Sequence, residues 1–265
     1  MNLSSPRRQE FLGMRFDRLG CAGAIDVVSR LAGQAKFSYV VTPNVDHIVQ
    51  LHKDEEETLA EAYSSADLSL CDSRIVYVLA RLANIDLQIV TGSDLTRNLL
   101  MQKRDFDSIA IIGGNARLHQ DMASFFPWYD WHFFEPPMGV RHDPAARSEI
   151  ADFIERVGAD VIFFAIGAPQ SEITCAEIKR RGKARGVALC TGASLFFLTG
   201  DKRRAPRWMQ AAGIEWLFRL LSEPSRLWRR YLLDGPRVIG IWLSWRRARA
   251  SHPSCGSDST NSGDV

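Results

Sequence analysis

Residues 161–172 read VIFFAIGAPQSE. Six consecutive apolar positions show no polar alternation, and they stop at the turn-forming Gly167. A strand that is apolar on both faces needs cover on both faces, the condition of an inner strand in a parallel sheet. Working outward, the same pattern recurs in Ser38–Thr42 (SYVVT), Leu68–Cys71 (LSLC), Ile109–Ile112 (IAII), His132–Phe134 and Val187–Cys190 (VALC). Stretches of helical character, such as Glu55–Ser64 and Pro144–Val157, lie between most of them. The pattern predicts an α/β fold: a Rossmann-like, mostly parallel sheet with helices on both faces, followed by a C-terminal amphipathic helical appendage. No internal repeat interrupts it.

In such sheets ligands collect at the carboxyl ends of the strands. The segments there are Thr42-Pro43-Asn44, Asp72-Ser73-Arg74, Gly113-Gly114-Asn115, Gly167-Ala168-Pro169-Gln170-Ser171-Glu172 and Thr191-Gly192-Ala193-Ser194. Three of these strand ends run into glycine, which permits close backbone approach and leaves N–H groups free for a phosphate. One such glycine is as readily a plain turn. Three at one edge point to a nucleotide-type ligand. No P-loop and no GxGxxG is present, so the dinucleotide fingerprint fails.

Composition sets the outer limits. A chain of 265 residues that is 46% hydrophobic and 24% charged suits one large α/β domain with an appendage, and excludes a collagen, a wholly disordered chain or a small disulfide scaffold. The net charge of +2 conceals an asymmetry. Residues 201–250 hold twelve of the 33 basic residues and four of the 31 acidic ones, together with five of the seven tryptophans. The remainder carries twenty-one bases against twenty-seven acids. The expected organisation is therefore a catalytic domain over 1–199, a basic, Trp-rich helical appendage over 200–250, and a disordered Ser/Gly-rich tail over 251–265. The first sixteen residues lack the apolar core of a signal peptide, and the run Val238–Trp245 is too short to span a bilayer. Five cysteines without a CxxC pair fit free thiols in a reducing cytoplasm.

The strand-end motifs and the tail together resemble the WecG/TagA/CpsF family of glycosyltransferases (glycosyltransferase family 26). The resemblance runs from about Phe16 to Arg237. Its most specific part is GDKRRAPRWMQAAGIEWLFRLLSEPSRLWRRYL at 200–232, and VVTPNVDHIV at 40–49 and TGSDL at 91–95 match further family segments. The resemblance implies inverting, metal-independent transfer from a UDP-sugar donor to a polyprenyl-diphosphate-linked saccharide acceptor, on the cytoplasmic face of the membrane. It implies Asp72 as general base, Thr42 and Asn44 lining the site, and Arg219, Arg226 and Arg229 of the appendage on the diphosphates, with Arg204 beside them. Homo-oligomers are compatible with it. Three positions depart from the family pattern: Ser73 replaces the usual glycine after Asp72, Ser171 replaces the usual glutamine while Glu172 is kept, and Ile89 stands where an arginine is common. These departures bear on the donor sugar and on the level of activity.

The residues themselves admit plainer roles as well. Inverting transfer needs one base for the acceptor hydroxyl, and a carboxylate at a strand's carboxyl edge suits that task. Asp72 is equally a helix cap in form, and Thr42 and Asn44 suit a local turn. Asp94 either meets donor hydroxyls or caps its helix. Gly113, Gly114, Gly167, Ala168, Pro169, Glu172 and Gly192 complete the predicted substrate-binding edge. Asp105-Phe106-Asp107 has the form of a metal-binding DxD, but it precedes the Ile109 strand and so belongs to the opposite edge. The six histidines lack ligand spacing, so neither metal nor cofactor is expected, and backbone N–H groups with cations are left to stabilise the departing UDP. In the tail, Ile214, Leu217, Phe218 and Leu221 and then Leu227, Trp228, Tyr231 and Leu232 repeat at helical spacing beside Arg226, Arg229 and Arg230. That arrangement fits a helix in the interface of an anionic membrane. A nucleic-acid binder with an Arg/Trp tail is the contrasting class. The acidic body and the absence of a recognised nucleic-acid motif weigh against it, so no nucleic-acid partner is expected. A non-catalytic lipid-binding scaffold is the third.

Overall fold

The computed structural model describes residues 8–53, 57–102, 104–202, 205, 206, 209, 214–222 and 224–251, with backbone alone for 215, 219, 226, 227 and 229–231. It opens with a hairpin. Strands β1 (Arg8–Phe11) and β2 (Met14–Asp17) pair antiparallel around Leu12 and Gly13, both at positive φ (53° and 76°). Two left-handed residues in a two-residue turn match the twist of the strands they join. A leucine in the first of those positions carries no turn signal, which is why the hairpin is absent from the sequence expectations.

The sheet is six-stranded and wholly parallel. Strands β3 (Ser38–Val41), β4 (Leu68–Ser69), β5 (Ser108–Ile112), β6 (Asp130–Phe134), β7 (Val161–Phe164) and β8 (Val187–Cys190) stand in the order β4-β3-β8-β7-β5-β6. The VIFF run divides between two cores. Val161 and Phe163 join Val40, Ile109, Ile111, Val187 and Leu189 on one face, while Ile162 and Phe164 join Tyr39, Val41, Ala110, Ile112 and Ala188 on the other. Each Val, Ile, Leu and Phe among them contributes roughly 1.5–3 kcal/mol by leaving water, and polar alternation would forfeit one of the two cores. Ala165 continues the ladder through one further bond, its N–H on the Ile112 carbonyl at 2.8 Å, before the chain turns.

Among the described residues the body contributes nine α-helices: α1 (Cys21–Ala32), α2 (Val45–Lys53), α3 (Glu57–Ser64), α4 (Arg74–Leu82), α5 (Gly92–Met101), α6 (Ala116–Phe125), α7 (Pro144–Val157), α8 (Gln170–Arg181) and α9 (Ser194–Leu198). Helix α7 shows how locally its ends are written. Asp143 accepts the N–H groups of Ala145 and Ala146 at 3.0 and 3.1 Å, Pro144 occupies the first turn, and Gly158 ends the helix at φ 61°.

The basic stretch after residue 200 is heterogeneous in the structure. Helix Glu215–Ser222 and the short helix Pro224–Trp228 lead into a π-helical turn, Arg229–Asp234. The C-terminal helix, Arg237–Ser251, packs on the body. Val238 and Trp242 are buried in the same core cluster as Phe11 and Leu79. The Trp242 indole N–H donates to the Leu79 carbonyl at 3.0 Å, and Trp245 meets the Phe11 ring edge-on at 5.1 Å. Lys53 and Asp234 form an ion pair that ties the π-helical turn to α2. None of the described helices is long and apolar enough to cross a membrane. The four described cysteines are free thiols.

Candidate active site

Because every strand of the sheet runs the same way, all the strand-end segments meet at one edge. On the β4-β3-β8 flank, the chain leaving β4 bridges at Cys71 to Ile89 in parallel register, with the Val90 N–H on the Cys71 carbonyl at 3.0 Å. That bridge sets Thr91-Gly92 beside Asp72. The Gly92 N–H donates to Asp72 Oδ2 at 3.1 Å, and the Asp72 N–H donates to the Pro43 carbonyl at 3.0 Å. Asp72 is half-buried. Helix α4, which starts two residues later, is capped by Ser73, whose hydroxyl accepts the Val76 N–H at 3.3 Å. The capping role open to Asp72 from the sequence is thus taken by its neighbour. The Ser73 departure from the family pattern has this structural role.

Other predicted residues on this flank are bound into local structure. Thr42 Oγ1 donates to the Cys190 carbonyl at 3.1 Å, fastening the end of β3 to that of β8. Asn44 Oδ1 accepts the Asp46 N–H at 2.9 Å at the start of α2. Asp94 lies in the first turn of α5: Thr91 Oγ1 donates to its carboxylate at 2.7 Å and accepts its N–H at 3.1 Å, so Thr91 is the cap and Asp94 its partner. Gly92 is closely packed, since a Cβ there would stand 3.2 Å from Thr191 Cβ. Behind it runs a chain of hydroxyls that the sequence did not disclose. Thr96 donates to Ser194 at 2.9 Å and Ser194 to Thr191 at 2.8 Å, with Thr96 and Ser194 buried. Gly192 follows at φ 56°. Thr96 is 95 and 98 residues from Thr191 and Ser194 in the chain, and no spacing rule reaches that far.

The β5-β7 flank is built from backbone. Gly113 and Gly114 sit at φ 90° and 92°; a Cβ on Gly113 would be 2.6 Å from Ile166, and one on Gly114 would be 2.7 Å from Leu118. His119 Nε2 lies 2.9 Å from the Gly113 carbonyl and its ring stacks on Phe133 at 4.4 Å, which pins the turn from below. Across from it Gly167 takes φ 80°, Ala168-Pro169 forms a cis peptide, and the Ser171 hydroxyl donates to the Gly167 carbonyl at 2.7 Å. Glu172 is fully buried, its Oε2 has no hydrogen-bond partner, and burial pushes its carboxyl up to about 8. It therefore carries its proton at neutral pH. Burial likewise raises the Cys71 thiol next to Asp72, to about 12, so that group stays a thiol.

Asp105 and Asp107 are exposed on either side of the buried Phe106, just ahead of β5 and at the edge opposite the glycine turns. Arg204 lies outside the described residues, and so do the side chains of Arg219, Arg226 and Arg229.

One parallel edge of the sheet carries a carboxylate and three glycine turns. The profile of the WecG/TagA/CpsF glycosyl transferase family matches residues 9–252. The chain belongs to that family. As a member of the WecG/TagA/CpsF glycosyltransferases it is an enzyme that uses a nucleotide-sugar donor. The match also covers the N-terminal hairpin from its second residue and the C-terminal helix to its end, so the elements that clamp the body from both chain ends lie within the family unit.

Proposed function

We propose that the chain transfers a sugar from a UDP-sugar to a polyprenyl-diphosphate-linked saccharide at the cytoplasmic face of the membrane, with inversion and without a metal, for an envelope polysaccharide or exopolysaccharide. Asp72 takes the proton of the acceptor hydroxyl as its oxygen bonds to C1 of the donor sugar, and the C1–O bond to UDP breaks in the same displacement. The observation that carries this reading is the state of Asp72. It stands beyond the carboxyl end of β4, half-buried and oriented by the Gly92 N–H, directly before Ser73, which caps α4. Gly113, Gly114, Gly167, Ala168, Pro169 and Gly192 bring backbone to the diphosphate, and Glu172, protonated, offers a hydrogen-bond donor behind the Gly167 turn. Arg204, Arg219, Arg226 and Arg229 act on the lipid diphosphate and the anionic surface that carries it.

A panel of UDP-sugars with a lipid-linked acceptor tests this. The native chain should move sugar from at least one donor, with inverted stereochemistry, and Asp72→Asn should lower kcat by about 10²–10⁴ at unchanged fold. Transfer from none of the donors, or full activity in Asp72→Asn, overturns it.

A further inference from the structure

Helix α4 begins two residues beyond Asp72 and leaves a stripe of large apolar side chains in water: Ile75, Val78 and Leu82 are 37%, 51% and 60% exposed at i, i+3 and i+7. The core is served by the opposite face, through Val76, Leu79 and Ala80. The C-terminal helix meets α4 at Leu79 and carries a stripe of its own, Ile239 and Leu243, 45% and 42% exposed at i and i+4. Singly exposed apolar residues are ordinary; two helical stripes on adjoining helices are not.

Charge decides what fits them. Arg74 and Arg81 on α4 and Arg237, Arg246, Arg247 and Arg249 on the C-terminal helix are all exposed, and neither helix contains a carboxylate. Among the described residues only Arg237 reaches an acid, Asp234, at 3.8 Å. Arg246 and Arg249 lie over the Trp242 and Trp245 rings at 4.7 and 5.3 Å, which holds two guanidinium groups at the surface beside the apolar stripe. A second copy of this chain on the same face would set arginines against arginines. An anionic lipid surface takes the apolar side chains among its acyl chains and the guanidinium groups among its phosphates.

We infer that α4 and the C-terminal helix together form a docking surface for an anionic bilayer, so that the body itself, and not the arginine-rich segment 200–232 alone, sits on the membrane. The inference rests on the membrane partner proposed above and adds an orientation. With α4 lying on lipid, its N-terminal end and Asp72 are held at the depth where a polyprenyl diphosphate emerges.

The test uses the full chain and vesicles of phosphatidylcholine with and without phosphatidylglycerol. Val78→Glu with Leu82→Glu should weaken partitioning onto the anionic vesicles by about tenfold or more, and Val78→Ser with Leu82→Ser by a smaller factor. Both pairs alter exposed positions and should keep the native melting transition; if the glutamate pair does not fold, the serine pair decides. Turnover of an acceptor embedded in vesicles should fall with partitioning, while turnover of a short-chain, water-soluble acceptor stays unchanged. Unchanged partitioning in both pairs overturns the inference. So does a native dimer that the glutamate pair dissociates in sedimentation velocity without loss of vesicle binding, because the face then belongs to a second copy. Absence of transfer onto either acceptor would sink the enzymatic proposal alone, since partitioning is read without chemistry.

Discussion

Two flanks of one sheet edge solve the same problem differently. On the β4-β3-β8 flank polar side chains do the fastening: Asp72 accepts the Gly92 N–H, Thr42 donates to the Cys190 carbonyl, Thr91 donates to Asp94, and hydroxyls link Thr96 through Ser194 to Thr191. On the β5-β7 flank the polar contacts are with backbone, and glycines at positive φ lie against Ile166 and Leu118. Each flank also has a carboxyl group. Asp72 keeps contact with solvent and the Gly92 N–H, whereas Glu172 is fully buried with its Oε2 unpartnered and holds its proton. The difference teaches that a carboxylate following a parallel strand has no fixed role; burial and partners decide whether it accepts a proton or keeps one.

The largest contrast between the flanks is between activity and stability. Asp72→Asn should cost activity in the range given above and leave the melting temperature close to native. Gly113→Ala should do the reverse in order of cause. Its Cβ would overlap Ile166 at 2.6 Å in a backbone conformation that alanine resists, and overpacking of this kind costs about 1–3 kcal/mol before strain is added. Thermal melts of the two variants check this. Equal loss of stability in both would erase the distinction between a side-chain flank and a backbone flank.

Next in size is the pH dependence of Glu172. Its folded pKa, about 8, lies above the ordinary value of 4.5, so the folded state binds the extra proton between those limits. Stability should therefore fall as pH rises through that window and level off above it. Glu172→Gln keeps the shape and removes the titration, so its denaturation midpoint should lose this slope. Parallel curves for the native chain and the variant would show that Glu172 is ionised in the folded protein.

Most of the sheet was legible because its signal is local. A six-residue apolar run can be interior on both faces only between two cores, and the expected strand at 161–166 is β7 with one further ladder bond. Helix α7 occupies 144–157 as its Pro and Gly punctuation implies. The hairpin escaped because Leu12 fills a left-handed position, and the hydroxyl chain because Thr96 and Ser194 meet only in the fold. The basic tail was legible as charge but not as packing. The indole of Trp242 reads the same in a sequence whether it faces lipid or, as here, donates to Leu79 inside the core. Composition reports an excess of arginine; which side of a helix bears it depends on what the helix covers.

The smallest effect tests the joint on which the comparison turns. Ser73, the neighbour of Asp72, caps α4 through the Val76 N–H. Ser73→Ala removes the cap and should cost about 1 kcal/mol. Ser73→Gly should cost only a few tenths, because glycine tolerates the capping backbone and leaves the N–H groups open to water. Measured together, the pair separates stability from chemistry. If Ser73 acts only as the cap, both variants keep the pH profile of kcat. If either variant draws the Asp72 side chain back onto the first turn of α4, its carboxylate gains N–H donors, becomes a weaker base, and the ascending low-pH limb of the profile, where the base loses its proton, moves to lower pH. A limb shifted in both variants would show that the serine hydroxyl keeps Asp72 turned toward Gly92, whereas a shift in Ser73→Ala alone would show that the backbone conformation at that position does.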